Sequence, residues 1–387
     1  MHNPIIKTIL AFTMAGIVLF SSAASAQPLE TQIPITISSP VCILMEAETG
    51  TVIFEKNARK EQQVASLVKL MSSLLFMEAS ENSSEVSQSQ VNVSVNAAAA
   101  KGSTALLDAN RIYGFDDLLR ASIMISANDA TVALAEYLSG SEESFTGKMN
   151  EKAETLKLKN THFANSTGLN AEGQYSCAYD IALIAAELSR YKNYFSYSSL
   201  WISDFIHPSG RVTGMTNPNR LVRFYTGCDG MKTGSSPEAG YCICATVEKQ
   251  GMRLIAVILG SKTSQIRFDE AKNLLEYGLN TYKRVQIISS DELTGYTVPV
   301  RYGSKEEVKI ASGKGLSMLL KDGQEKQLSV EMSLPESISA PLQKGEEIGT
   351  IVVLINNQKI AEIPAVLAED ARLPGYVESL YRILNSW

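Results

Sequence analysis

The 387-residue sequence predicts an α/β (α+β) architecture: an antiparallel sheet flanked by helices, followed by a small all-β sandwich and a C-terminal amphipathic helix. Three observations carry this. Helix-period segments lie between an N-terminal hairpin pattern and two long apolar runs joined by Gln250-Gly251. From Lys283 onward the texture changes to short alternating runs punctuated by Gly, Pro and Asn. In LPGYVESLYRILNSW, the residues Leu373, Tyr376, Val377, Leu380, Leu384 and Trp387 fall on one helical stripe.

Each element has its own reason. MHNPIIK, the apolar TILAFTMAGIVLF and the small-residue SSAASA follow the order of a secretory signal, with cleavage expected before Gln27. The apolar core is shorter than the roughly 20 residues a membrane span needs. The mature chain is therefore expected outside the cytoplasm. VCILMEAETGTVIFEKN reads as a hairpin turning at Glu48-Thr49-Gly50. A helix begins near Ser66, and residues 80–90 read as a polar loop. QVNVSV, which includes Ser94, alternates like a strand. FDDLLRASIMI, NDATVALAEYLSG, SFTGKMNEKAETLKL and YDIALIAAELSRY have helical periodicity, the second ended by Gly140. CDGMKTG and GYCICATVEKQGMRLIAVILG supply strands, and a helix over about 265–281 follows them, with Lys262 at its start. The domain reading is a signal at 1–26, an α/β domain at 27–282, an all-β domain at 283–369 and a tail at 370–387. The tail stripe fits a helix lying on a membrane surface. The competing reading is a helix docked on its own protein.

Composition narrows the function. Apolar residues make up 45%, charged residues 20%, and the formal charge is −6 with no basic block. Nucleic acid is a poor partner, because phosphate binding needs clustered Lys and Arg. No C-x-x-C occurs and the chain has 3 histidines, so no metal is expected. Of the 5 cysteines, Cys242 and Cys244 share one strand face, and Cys228 could pair across to one of them. Buried free thiols are the favoured reading.

Three motifs in order suggest chemistry. Ser66-Leu67-Val68-Lys69 is S-x-x-K, Ser126-Ala127-Asn128 is S-x-N and Lys232-Thr233-Gly234 is K-T-G. An isolated S-x-x-K is usually an amphipathic helix with a snorkelling lysine. Ser94-Val95-Asn96 and Lys262-Thr263-Ser264 are decoys of the other two, separated from them by context. Ser126 falls between two helices, and Lys232 on a strand whose Gly234 permits close approach of a ligand.

With these motifs, and with NTHFANSTGLN, YSCAYDIALIA and CDGMKTGSSPEAGYC, the chain resembles the low-molecular-mass penicillin-binding proteins, serine-type D-alanyl-D-alanine carboxypeptidases. The resemblance covers nearly all of the mature chain. It implies the penicillin-binding, β-lactamase-like transpeptidase fold, no cofactor, and action on D-Ala-D-Ala stem peptides of peptidoglycan with acylation by β-lactam antibiotics. It also implies a place at the outer face of the bacterial cytoplasmic membrane. The residue types suit this chemistry. Serine is too weak a nucleophile without a base, and Lys69 is the candidate. Lowering its pKa from about 10.4 by roughly 3 units takes about 4 kcal/mol of bias against the cation. Burial, a helix N-terminus and a second cation at Lys232 could supply it. By resemblance, Ser126 relays a proton, Asn128 bonds the substrate amide and the Lys69 amine, and Lys232 and Thr233 receive the terminal carboxylate. Backbone N–H groups of Ser66 and Ser235 would form the oxyanion hole. Arg267 matches an arginine near the carboxylate site, or forms a structural salt bridge.

There are departures. Ser235-Ser236 stands where many relatives carry histidine or tyrosine and then threonine, Val68 replaces a common threonine, and Cys177 replaces another. A β-lactamase would need a glutamate after S-x-N, where this chain has His162. A non-catalytic wall-binding protein would not need Ser66, Lys69, Ser126 and Lys232 together.

Overall fold

The computed structural model describes residues 34–289 and 292–385. The signal segment and Trp387 lie outside the described residues. By internal contacts the chain forms two units, divided between Thr281 and Tyr282.

In the first unit, strands β1 (Val41–Glu46) and β2 (Val52–Lys56) form the expected hairpin. A 3-10 turn over Ala65–Val68 leads into α1 (Lys69–Asn82). Next come short α2 (Ser84–Ser87), β3 (Gln90–Asn92), short α3 (Val95–Ala98) and β4 (Ile112–Gly114). The helices α4 (Phe115–Ile125), α5 (Asn128–Ser139), α6 (Glu142–Thr155) and α7 (Ala178–Leu188) follow as the periodicity predicts. After short α8 (Tyr194–Ser198), hairpin β5 (Ile202–Ile206) and β6 (Val212–Thr216), and short α9 (Leu221–Phe224), the chain enters β7 (Cys228–Ser236), β8 (Gly240–Lys249), β9 (Met252–Ser261) and α10 (Ser264–Thr281).

The main sheet has the order β2-β1-β9-β8-β7, antiparallel throughout, so β7 is an edge strand. Helix α10 packs on β8 and β9, and α1 and α7 also pack against this sheet. Coverage by helices explains why β9 is an almost unbroken apolar run rather than an alternating one. Helix α1 is buried nearly all round: Leu70, Met71, Leu74 and Phe76 are inaccessible. Each such side chain contributes about 1.5–3 kcal/mol of burial. That surplus lets the same helix carry a buried amine.

Several expectations need correction. Residues 80–90 are not a loop, since α1 runs to Asn82 and α2 follows. Ser94 is not in a strand. Its hydroxyl accepts from Ala97 N and caps α3, a local bond that competes with strand pairing. Lys262 precedes α10 and lies outside it. Hairpin β5–β6 is absent from the sequence-based order. Its mark is the Pro208-Ser209-Gly210 turn between alternating residues, of which Phe205 and Met215 are buried. All five cysteines are buried free thiols. Cys177 finds its reason here: its sulfur accepts from Asp180 N and caps α7.

The second unit holds a six-stranded sheet, made by β11 (Glu292–Arg301), β12 (Glu307–Ser312), β14 (Leu328–Ser333), β15 (Ile338–Ser339), β16 (Glu347–Ile355) and β17 (Gln358–Leu367). Their order is β14-β16-β17-β12-β11-β15. A two-stranded sheet of β10 (Tyr282–Ile288) and β13 (Leu316–Lys321) packs against the same core of Ile288, Val308, Ile310, Ile351 and Val353. Two layers over one core make the sandwich, although its second layer has only two strands. The last helix, α11 (Tyr376–Asn385), leaves its apolar stripe uncovered: Tyr376 is 83% exposed, Val377 69% and Leu384 66%. No described helix is long and apolar enough to cross a membrane.

Candidate active site

Ser66 sits inside the 3-10 turn and Lys69 directly ends it. In 3-10 geometry, residues three apart eclipse each other. The two side chains therefore stack, and Lys69 Nζ lies 3.4 Å from Ser66 Oγ. This is long for a hydrogen bond, as unliganded catalytic contacts often are. A second bond aims the amine: Nζ donates to the carbonyl of Thr167 at 2.6 Å. The resemblance implied a bond from the Lys69 amine to Asn128; among the described residues that amine bonds Ser66 and Thr167 instead.

Lys69 is fully buried, and its amine is held well below the ordinary lysine range. Burial is the larger cause and the Lys232 cation the second, while Glu142 pulls the other way. Lys232 is buried too. Burial, then Arg267, pushes it down to about 7. Two amines sharing a dry site cannot both be charged cheaply.

Edge strand β7 brings K-T-G to the serine. A Cβ on Gly234 would lie 2.9 Å from Ser66 N and 3.0 Å from Val64 O. No side chain fits between strand and turn, which is why this position needs glycine. A second glycine closes the far side. Gly168 has φ +82°, and a Cβ there would fall 2.1 Å from Ala65 O. The 164–169 loop thus rests against the backbone of the 3-10 turn, with its Thr167 carbonyl turned to Lys69. Thr233 is buried and Ser235 is exposed at the strand's outer end.

Between α4 and α5, Ser126 adopts a left-handed φ of 64°. For a non-glycine residue this is a strained state that surrounding packing must enforce. Its buried hydroxyl has no hydrogen-bond partner among the described residues, and neither has Asn128 Oδ1. Asn128 Nδ2 is fixed by the Lys101 carbonyl at 2.5 Å. Two buried polar atoms without partners are costly unless a ligand completes them.

Arg267 forms no salt bridge with a carboxylate among the described residues. Its guanidinium donates to the carbonyls of Gly234 at 2.8 Å and Cys242 at 3.1 Å, and so braces K-T-G from behind. His162, at the position where a lactamase would need its glutamate, is exposed and bonds the Gly173 carbonyl.

Sequence reasoning missed three participants. The Thr167 carbonyl carries no residue-type signature. Asp129, fully buried beside Asn128, accepts from Ala105 N and Leu107 N and pins the loop that borders S-x-N. Glu142 accepts from Ser166 N and Oγ, one residue before Thr167.

The family described as D-alanyl-D-alanine carboxypeptidase matches residues 24–263. The C-terminal domain of penicillin-binding protein 5 matches residues 282–372. The D-alanyl-D-alanine carboxypeptidase DacF of Bacillus subtilis is 34% identical over 385 residues, covering 98% of this chain and 99% of its own. DacC of Escherichia coli is 35% identical, with 95% and 92% covered. The crystal structure of penicillin-binding protein 5 from Haemophilus influenzae superposes with a TM-score of 0.77 at 30% identity, over 88% of this chain and 99% of that one. With S-x-x-K and K-T-G brought together at one buried lysine amine, and with likeness along nearly its whole length, this chain belongs to the D-alanyl-D-alanine carboxypeptidase family.

Proposed function

We propose that this chain removes the terminal D-alanine from peptidoglycan stem pentapeptides through an acyl-enzyme on Ser66. The observation that carries the reading is the buried Lys69 amine, held toward its neutral form 3.4 Å from Ser66 Oγ. Ser66 Oγ attacks the penultimate carbonyl and its proton passes to Lys69 Nζ, whose other contact, the Thr167 carbonyl, keeps the lone pair on the serine. N–H groups of Ser66 and Ser235 stabilise the oxyanion. The C–N bond then breaks, and the leaving amine takes its proton by way of Ser126. Water next attacks the acyl carbon while Lys69 accepts its proton, and the acyl–Oγ bond breaks as Lys69 returns that proton to Ser66 Oγ. Lys232 and Thr233 hold the terminal carboxylate, and Asn128 Oδ1 accepts from the substrate amide. Arg267 acts through the Gly234 carbonyl it braces, as a positioning residue. β-Lactams enter by the same acylation. No cofactor or metal takes part in this scheme.

The test is direct. Incubated with a pentapeptide ending in D-Ala-D-Ala, the full chain should release free D-alanine, and penicillin should leave a covalent adduct mapped to Ser66. Absence of both D-alanine release and a penicillin adduct would point to the wall-binding alternative; hydrolysis of penicillin in preference to peptide would point to the lactamase.

The work is proposed to take place in the cell envelope, at the outer face of the cytoplasmic membrane. The uncovered stripe of Leu373, Tyr376, Val377, Leu380 and Leu384 is the support for a surface-lying anchor. Deleting residues 371–387 should free the protein from membrane vesicles in a sedimentation assay, with activity on soluble peptide unchanged. Continued sedimentation of the truncated form would put the anchor elsewhere.

A further inference from the structure

We propose that Glu142 is a positioning residue of the acylation step: its carboxylate clamps Ser166 so that the adjacent Thr167 carbonyl holds the Lys69 amine beside Ser66. This rests on the reading of Lys69 as the base.

Glu142 lies in the first turn of α6, the helix that follows α5, and belongs to none of the three motifs. Its Oε1 accepts from Ser166 Oγ at 2.6 Å and from Ser166 N at 3.0 Å. The Ser166 carbonyl in turn accepts from Ser72 Oγ, on α1 one turn beyond Lys69, at 2.6 Å. The next carbonyl, Thr167 O, takes the Lys69 amine. The Asn165 side chain fixes the same turn from the other side, through Thr167 N and Gly168 N. The loop is therefore pinned at successive residues, and Glu142 supplies the only charged pin among these contacts.

That charge has a further effect. The charged groups that act on Lys69 are Lys232 from β7 and Glu142 from α6. Lys232 favours the neutral amine and Glu142 favours the cation. Glu142 is half-buried and lines a cavity of about 190 Å³ shared with Asn165 and Thr167. Solvent there weakens its pull, so burial and Lys232 dominate and the amine stays low. An acidic residue in the first turn also suits the helix dipole of α6. A role confined to the helix would leave the pH dependence of acylation untouched.

The sign follows. Acylation needs neutral Lys69, so its rate falls on the acid side of the lysine pKa. Removing the Glu142 charge lowers that pKa and moves the acid limb to lower pH. Glu142→Gln keeps an acceptor oxygen for Ser166 and deletes only the charge. In penicillin acylation by the full chain, its acid limb should move down by about 0.5 pH unit or more, with the plateau rate within about twofold of wild type. Glu142→Ala loses the clamp too, and its plateau should fall about fivefold or more. An unmoved acid limb in Glu142→Gln overturns the proposal, as does a wild-type plateau in a folded Glu142→Ala. If Glu142→Ala does not fold, the Gln variant decides alone. The parent reading is checked separately with Lys69→Met: acylation that persists there overturns the lysine base itself, and this inference with it.

Discussion

Ser66→Ala is expected to release no D-alanine from a D-Ala-D-Ala pentapeptide and to form no penicillin adduct, a loss of at least about 10⁴-fold. The substitution deletes one half-buried hydroxyl and leaves the 3-10 turn, its backbone N–H and the glycine contact of β7 in place. Binding should thus survive while chemistry stops, and peptide should still protect the variant against thermal unfolding. Equal release by wild type and variant would remove Ser66 as nucleophile and, with it, the role given to every neighbour.

Lys69→Met should be nearly as damaging to catalysis, at least about 10³-fold in acylation, yet it should not damage the fold. The amine is fully buried, so replacing it with an unbranched apolar chain of similar length removes a desolvation cost. The loss on the other side is the long contact with Ser66 Oγ and the bond to the buried Thr167 carbonyl, the latter about 1–3 kcal/mol. Lys69→Arg should fail as well, because guanidinium stays charged and cannot act as base. Linkage gives a second readout. The folded pKa of Lys69 lies below its unfolded value, so between the two the unfolded chain binds more protons. Stability therefore rises with pH across that window, up to the ordinary lysine value of 10.5. Lys232 adds a similar rise from about 7 upward. Thermal melts of Lys69→Met should show a flatter rise than wild type. A variant that melts far below wild type at neutral pH would mean that the amine is structural rather than catalytic.

Both results concern residues that stand out in the primary structure. A lysine inside VASLVKLMSSLLFM is conspicuous because nothing else there is charged, and its serine lies one turn away. The helices after it were legible because apolar periodicity is local, and strands β8 and β9 because two long apolar runs joined by Gln250-Gly251 are. The capping roles of Ser94 and Cys177 were not, since a short polar bond decided each. Arg267 was expected to meet a carboxylate; its guanidinium instead donates to two strand carbonyls and to the Ser264 hydroxyl, partners the sequence did not reveal.

By itself, then, the sequence determined which chemical groups this protein brings to its task, and the order of elements that carry them. Only the tertiary structure decided what surrounds those groups: the Thr167 carbonyl on the amine, the Glu142 clamp behind it, and a Ser126 hydroxyl with no partner among the described residues. The reason is physical. Side-chain chemistry and periodicity are written within a few residues, whereas the backbone atom that meets a side chain from a distant loop depends on how whole elements pack.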